Sequence, residues 1–403
     1  MMAAGPDRVR RTHFPCLDGY RAIAALAVVT FATAGALHLH QRSPLGAGSV
    51  LLGTSGVAIF SMVSGFLLYR PYALSHITGR SGPSGARSFY RRRILRVYPA
   101  YGVALAVAAY GVGTTHLGRG SSAILFFGLV HNYKRSLVFE GLGLSWMLCI
   151  GVSFYALLPP LAGALGRLHR GSHSATRRRR SELIALTLLA LAATGYRVLV
   201  AFVGAGSDAV PMLWLPAYLD WFAVGMAFAV LSAAEESGVP NPSPLAYFAD
   251  RPLMCWALAA ELFWMLTLLH LPRGAGPATP AQLLVSHVVF AAAAAAFLVP
   301  GVLGPQDEGL IRRALQSPGL VWLGTVSYGV FLWHSIWLSQ LLRWAHYRGS
   351  GLSFATLLFF LLITTLPSAW ASYVLIERPL MSKRLTSFGD GRGRAATELG
   401  ASR

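Results

Sequence analysis

Acidic residues are scarce in this chain. Its 403 residues include 15 Asp and Glu against 34 Lys and Arg, a net charge of +19. Charged residues of both signs make up only 12% of it, whereas soluble proteins carry about 25%, so an ordinary soluble domain is excluded. The 55% hydrophobic content excludes a disordered chain, which needs low hydrophobicity and high charge density. Cysteine is sparse too. Cys16, Cys149 and Cys255 are far apart and odd in number, which gives neither a disulfide framework nor zinc-ligand spacing, and no metal is expected. Cys149 and Cys255 lie in apolar runs and read as small buried hydrophobes. The N-terminal stretch MMAAGPDRVRRTHFPCLDGYR is polar and basic. It lacks a short apolar core ahead of a small-residue cleavage site, so a cleaved signal peptide is not expected, and the first apolar run reads as a signal anchor. No internal repeat is visible. The alanine run at 291–296 suits close helix packing.

What is present is a succession of long apolar runs. A spanning helix needs about 20 mostly apolar residues. Such runs occur near 20–40, 50–70, 97–116, 144–166, 183–204, 212–232, 253–272, 281–303, 319–341 and 352–376. The apolar piece AILFFGLV at 123–130 is too short to cross and reads as a re-entrant or interfacial segment. The expected fold is therefore all-α: a polytopic membrane protein of about ten transmembrane helices plus that short segment. Residues 1–15 form a cytoplasmic tail, 16–384 the membrane domain and 385–403 a disordered cytoplasmic tail. Ten spans put both termini on one side. With the termini inside, the inner loops and flanks hold 26 of the 34 Lys and Arg and the outer loops seven, with Arg197 alone inside a span. That asymmetry places both termini in the cytoplasm, and the plasma membrane is the expected location. A basic balance often signals nucleic acid. Here the arginine clusters alternate with spans and no nucleic-acid-binding fold is visible, so none is expected as a partner; membrane lipid is.

Four stretches carry candidate chemistry. Arg21 sits at the mouth of the first span, in LDGYRAIAALAVV, where a positive-inside anchor snorkels. In SFYRRRILRVYPAY at 88–101, Arg93 and Arg96 are three apart and share a helix face; such a pair grips phosphate or serves as a positive-inside loop. In LSWMLCIGVSFYALLPPL at 144–161, Trp146 and Tyr155 suit an aromatic belt at the membrane interface. The fourth is WLGTVSYGVFLWHS at 322–335, followed by IERPLMSKR at 376–384, where Glu377 and Arg378 suit either an ion pair closing the cytoplasmic face or a cofactor contact.

In this order and spacing the pieces resemble the acyltransferase-3 family of multi-pass membrane proteins. The resemblance is also carried by GVAIFSMVSGFLLYRP at 56–71 and LPAYLDWFAVGMAFA at 215–229, and it covers roughly residues 16–384. It implies that an acyl group, often acetyl, is taken from cytoplasmic acyl-coenzyme A and passed to a hydroxyl of a carbohydrate or other small-molecule acceptor. It also implies that Arg21, Arg93 and Arg96, which match the family's arginines, bind the phosphate-bearing cofactor.

The match breaks at two positions. The family places a His eleven residues after the first-span Arg, roughly 16 Å along a helix, and here that position is Ala32. The family's Glu in the motif matched by SWMLCIGVSFY is replaced by Gly151. Neither substitute can move a proton. The replacement candidates are His38, His40, His334 and Asp220. His38 and His40 lie about 9 and 12 Å beyond Ala32 along a straight helix and on other faces of it. His270, His287, Glu261 and Arg197 are further ionisable groups in or near spans, each a functional candidate or a structural partner. Three readings follow: an O-acyltransferase with a rearranged site, a catalytically silent relative that binds acyl-coenzyme A, lipid or a partner, and a transporter. No pair of Gly/Pro-interrupted spans in equivalent halves supports the last.

Overall fold

The computed structural model describes residues 14–381, apart from 40–42, 81, 84, 116, 118–120, 169–170, 173, 204–209, 269–278, 307 and 348–350. Among the described residues all regular structure is helical. α1 (Pro15–Ala36) starts with a proline, whose missing N–H is an orphan donor there anyway. α2 (Pro44–Thr78) is capped by Ser43, whose Oγ accepts from the Gly46 amide at 3.1 Å. It stops at Gly79 in the left-handed region, φ 69°. α3 (Ala86–Ala106) runs on into a π-helical turn to Gly111. The short α4 (Ser121–Phe127) holds much of the expected re-entrant piece. α5 (Trp146–Arg167), α6 (Ala175–Val203) and α7 (Leu219–Glu236) follow, α7 led in by a 3₁₀ turn at Leu215–Tyr218. Next come α8 (Ser243–Ala249), α9 (Pro252–Leu268), α10 (Pro280–Val302) and α11 (Leu310–Leu315). α12 (Pro318–Tyr347) and α13 (Phe354–Ser372) close the chain, and α13 continues through a π-helical turn at Tyr373–Glu377.

Eight helices among the described residues are long and apolar enough to cross a membrane. The other two expected spans coincide with α9, an apolar helix of 17 residues, and α12, a helix of 30 residues broken up by Gly, Ser, His and Arg. The helices also outrun the apolar runs that announce them. α2 begins at Pro44 and continues through Arg70 and Pro71 to Thr78, so its polar ends extend past the expected 50–70.

α1, α2 and α7 form the middle of the bundle, and α6 and α13 are far less covered by protein. Close helix approach without a hydrophobic drive in lipid depends on small residues, and two crossings show this. A Cβ on Gly65 of α2 would overlap the Phe222 carbonyl of α7, and one on Gly225 of α7 would overlap the Met62 carbonyl of α2. The second crossing joins α1 to α12 and α11, where Gly324 faces the Asp18 carbonyl and Gly19 the Leu315 carbonyl. All three cysteines are buried and free.

One end of the bundle gathers the arginines. Arg70 of α2 pairs with Glu236 of α7 at 2.5 Å. Arg178 of α6 donates to the His76 and Ile77 carbonyls at the end of α2, at 3.3 and 3.4 Å. Arg312 of α11, 2% exposed, donates to the Pro300 and Ala249 carbonyls at 2.8 and 2.6 Å. The bonds from Arg178 and Arg312 satisfy orphan carbonyls that helix ends leave behind, and those cations complement the C-terminal dipoles.

Candidate functional site

A cavity of about 400 Å³ opens between α1, α2, α3, α5, α7 and α12. It is within the usual size of a ligand pocket, roughly 300–1,000 Å³. Three arginines line it: Arg21 from α1, and Arg93 and Arg96 from α3. Val57, Phe60 and Leu67 of α2, Met147, Gly151 and Tyr155 of α5, Tyr218, Phe222 and Phe331 complete a largely apolar wall, with Ser61, Ser64 and Ser327 as polar points. The arginines lie toward the arginine-gathering end. Tyr155 to Met147 leads away from them over eight residues of α5, about 12 Å.

The cations are held in place by neighbours from several elements. The Arg21 guanidinium donates to Ser327 Oγ of α12 at 3.1 Å and lies 3.4 Å from Asp18. The Arg93 guanidinium carbon lies 5.9 Å from the Tyr155 ring centre and 5.8 Å from that of Phe89, cation–π distances that orient a planar group. Tyr328 of α12 lines the cavity and donates to the Val97 carbonyl at 2.7 Å, tying α12 to α3. Glu377, 3% exposed in the π-helical turn after α13, acts electrostatically on both Arg96 and Arg21. π-turns inside α-helices frequently mark functional sites, and this one brings a carboxylate to the arginine cluster. Three guanidiniums thus face two carboxylates, Asp18 and Glu377, leaving the cluster net positive. A planar, always-charged guanidinium matches phosphate oxygens bidentately, so the cluster is chemically suited to a phosphate-bearing ligand whose apolar part extends along the rest of the wall.

All three arginines expected from the sequence therefore meet on one cavity, and Gly151 is on it with them. A Cβ at Gly151 would find the Tyr155 hydroxyl at 4.0 Å as its nearest neighbour, so the glycine leaves open space. Ala32 is half-buried on α1 and does not line the cavity. The replacement candidates lie elsewhere. His38 is exposed beyond the end of α1 with φ 54°. His40 and His270 lie outside the described residues. His334, 1% exposed, sets Nδ1 3.2 Å from the Val330 carbonyl of its own helix. Glu261 is exposed on α9. Asp220 is buried, its Oδ2 2.7 Å from Nε2 of His287 on α10, while its Oδ1 accepts from the Trp221 amide at 2.9 Å. The Trp221 ring stacks on that imidazole at 4.4 Å. Arg197 turns inward, donating to the Ala217 carbonyl at 3.1 Å with its guanidinium 5.2 Å from the Tyr218 ring centre. This buried network lies directly behind Tyr218, one wall of the cavity.

Three features escaped the sequence reading. Tyr155 faces the arginines and not a membrane interface. The Asp220–His287 pair joins two helices 67 residues apart, which no spacing announces. His131 sits with Nε2 3.0 Å from Ser145 Oγ and Nδ1 3.5 Å from Cys149 Sγ. None of these three residues lines the cavity and all are fully buried, so the cluster fastens the segment after α4 to α5.

Comparison with known proteins gives two positive findings. The family model of the acyltransferase-3 domain, described as an acyltransferase domain, matches residues 14–374. The exopolysaccharide production protein ExoZ of Rhizobium meliloti (strain 1021) is 27% identical over 356 residues, covering 86% of this chain and 93% of that protein. No solved structure matches.

Proposed function

Given that this chain belongs to the acyltransferase-3 family, we propose that it is a membrane O-acyltransferase that uses acyl-coenzyme A on its arginine-gathering, cytoplasmic side. The observation that carries the reading is the convergence of Arg21, Arg93 and Arg96 on one cavity. The arginines hold the donor's phosphates, and the acyl-pantetheine arm runs along the apolar wall past Tyr155 toward Gly151 and Tyr218. In the reaction the acceptor hydroxyl oxygen attacks the thioester carbonyl. The C–S bond breaks, an ester forms, and the hydroxyl proton leaves with the coenzyme A thiol. The name of the ExoZ relative, an exopolysaccharide production protein, supports a saccharide hydroxyl as the acceptor. Positioned acid–base groups commonly contribute 10²–10⁴-fold. With Ala32 and Gly151 at the hallmark positions, turnover is slow. Incubation of the purified protein with acetyl-coenzyme A and a saccharide acceptor should release free thiol above background, and Arg93→Ala should abolish the release. Equal rates in the two proteins would refute the proposal.

A second reading, a catalytically silent relative that keeps acyl-coenzyme A binding, is favoured by Ala32 and Gly151 themselves. It predicts binding of the donor with no thiol release by the wild type under any acceptor tested.

A further inference from the structure

A second cavity of about 500 Å³ lies between α2, α3, α5 and the start of α6, closer to the arginine-gathering end. Tyr72 lines it one helical turn beyond Leu68 of the first cavity, and Pro159 one turn beyond Tyr155, each step about 6 Å. Aromatic rings lie close to both chambers. Phe89 stands 6.5 Å from Tyr72, centre to centre, and carries the Arg93 guanidinium over its other neighbourhood at 5.8 Å.

The first chamber is mostly apolar around its arginines; the second also combines an apolar surface with basic side chains. Arg80, Arg178, His76 and Ser75 line it, and glycines make up much of the remaining wall. His76 is fixed by the fully buried Glu182, whose Oε1 lies 2.9 Å from its Nδ1. Gly79, in the left-handed region at φ 69°, leaves room for the Arg178 guanidinium, which a Cβ there would overlap. Gly163 faces the chamber with open space around its Cβ position. Basic side chains on the wall favour an anion, and a position one helical turn from the first chamber on both α2 and α5 puts it within reach of the same ligand.

We propose that this second chamber receives the 3′-phosphorylated adenosine end of the acyl donor, with Arg80 contacting the 3′-phosphate and Arg178, held by the Ser172, His76 and Ile77 carbonyls, adding its charge, while Arg21, Arg93 and Arg96 hold the pyrophosphate. The proposal rests on the acyl-coenzyme A reading above. It adds a second anion subsite and a discrimination: the protein distinguishes coenzyme A from dephospho-coenzyme A, which lacks the 3′-phosphate.

The test is equilibrium binding of these two compounds to the full-length protein in nanodiscs of neutral phosphatidylcholine and, separately, of phosphatidylcholine with anionic phosphatidylglycerol. Wild type should bind coenzyme A about tenfold tighter than dephospho-coenzyme A, the size of one charge-assisted bond. Arg80→Ala, at an exposed position, should remove that preference by weakening coenzyme A alone. Gly163→Glu, which puts a carboxylate into the chamber, should do the same. Equal affinities of wild type for the two compounds, or equal losses for both in Arg80→Ala, would overturn the subsite while leaving the arginine cluster of the first cavity standing. Competition by phosphatidylglycerol that disappears in Arg80→Ala would reassign the chamber to a lipid headgroup and overturn the proposal. Failure of wild type to bind either compound would overturn the acyl-coenzyme A reading as well.

Discussion

Arg96 differs from its two partners in what restrains it. Arg93 lies near two aromatic rings, and Arg21 donates to Ser327, whereas Arg96 is within electrostatic reach of the Glu377 carboxylate. A phosphate entering the cavity adds a second anion near this guanidinium. Replacing Arg96 with Ala removes one charged contact, commonly worth about 1.5–3 kcal/mol. Acetyl-coenzyme A affinity should therefore fall by roughly tenfold or more, measured by titration of the purified protein. Arg96→Lys should recover only part of it, because an ammonium lacks the bidentate fork. Unchanged affinity in Arg96→Ala would remove this residue from the binding site. The three arginines were legible in the sequence because each lies in a motif of recognisable order. Glu377 was seen there as an ion-pair or cofactor-contact candidate and Tyr155 as a belt residue. Their approach to the arginines depends on how α13 and α5 pack on α3, and no linear spacing encodes that.

Among the elements, the α2–α7 crossing positions one side of the cavity, since Ser61, Ser64 and Leu67 of α2 and Phe222 of α7 all line it. The two backbones meet at Gly65 and Gly225, where any Cβ overlaps a carbonyl. Gly225→Leu forces the helices apart, and overpacking a close contact typically costs 1–3 kcal/mol or more. The variant should show a lowered thermal midpoint and loss of the monodisperse peak in size-exclusion chromatography. A conservative change at Gly102, where a Cβ meets nothing within 4 Å, should leave both unchanged. A native midpoint in Gly225→Leu would contradict the packing. The helices themselves were largely readable, because apolar runs of spanning length have few alternatives. Their ends were not. α2 runs through Arg70 and Pro71 because Arg70 finds Glu236 and Ser232 on α7, a tertiary compensation invisible to hydropathy. α9 and α12 fall outside the eight long apolar helices for reasons of length and composition, although both coincide with expected spans.

At the scale of the whole molecule, Arg70, Arg178 and Arg312 gather at one end, and the cavity's cations belong to that end. The proposed orientation sets this end in the cytoplasm, where acyl-coenzyme A is available. The native cysteines are buried, so they give little background in a labelling experiment on intact cells. With an impermeant maleimide, Glu140→Cys should label from outside, and Ser174→Cys should label only after the membrane is opened. The reverse pattern would invert the topology and remove the donor from the arginine cavity. The charge bias and the three arginines were plain in the sequence; that all three line one cavity emerged only from the packing. The most direct test of the account is free-thiol release from acetyl-coenzyme A, with a saccharide acceptor, by purified wild type beside the Ala32→His, Gly151→Glu double variant. Gly151 has space for the longer side chain. The account predicts a slow, Arg93-dependent rate in the wild type that rises on the order of 10²-fold or more in the double variant. No release by either protein above the Arg93→Ala background would contradict it.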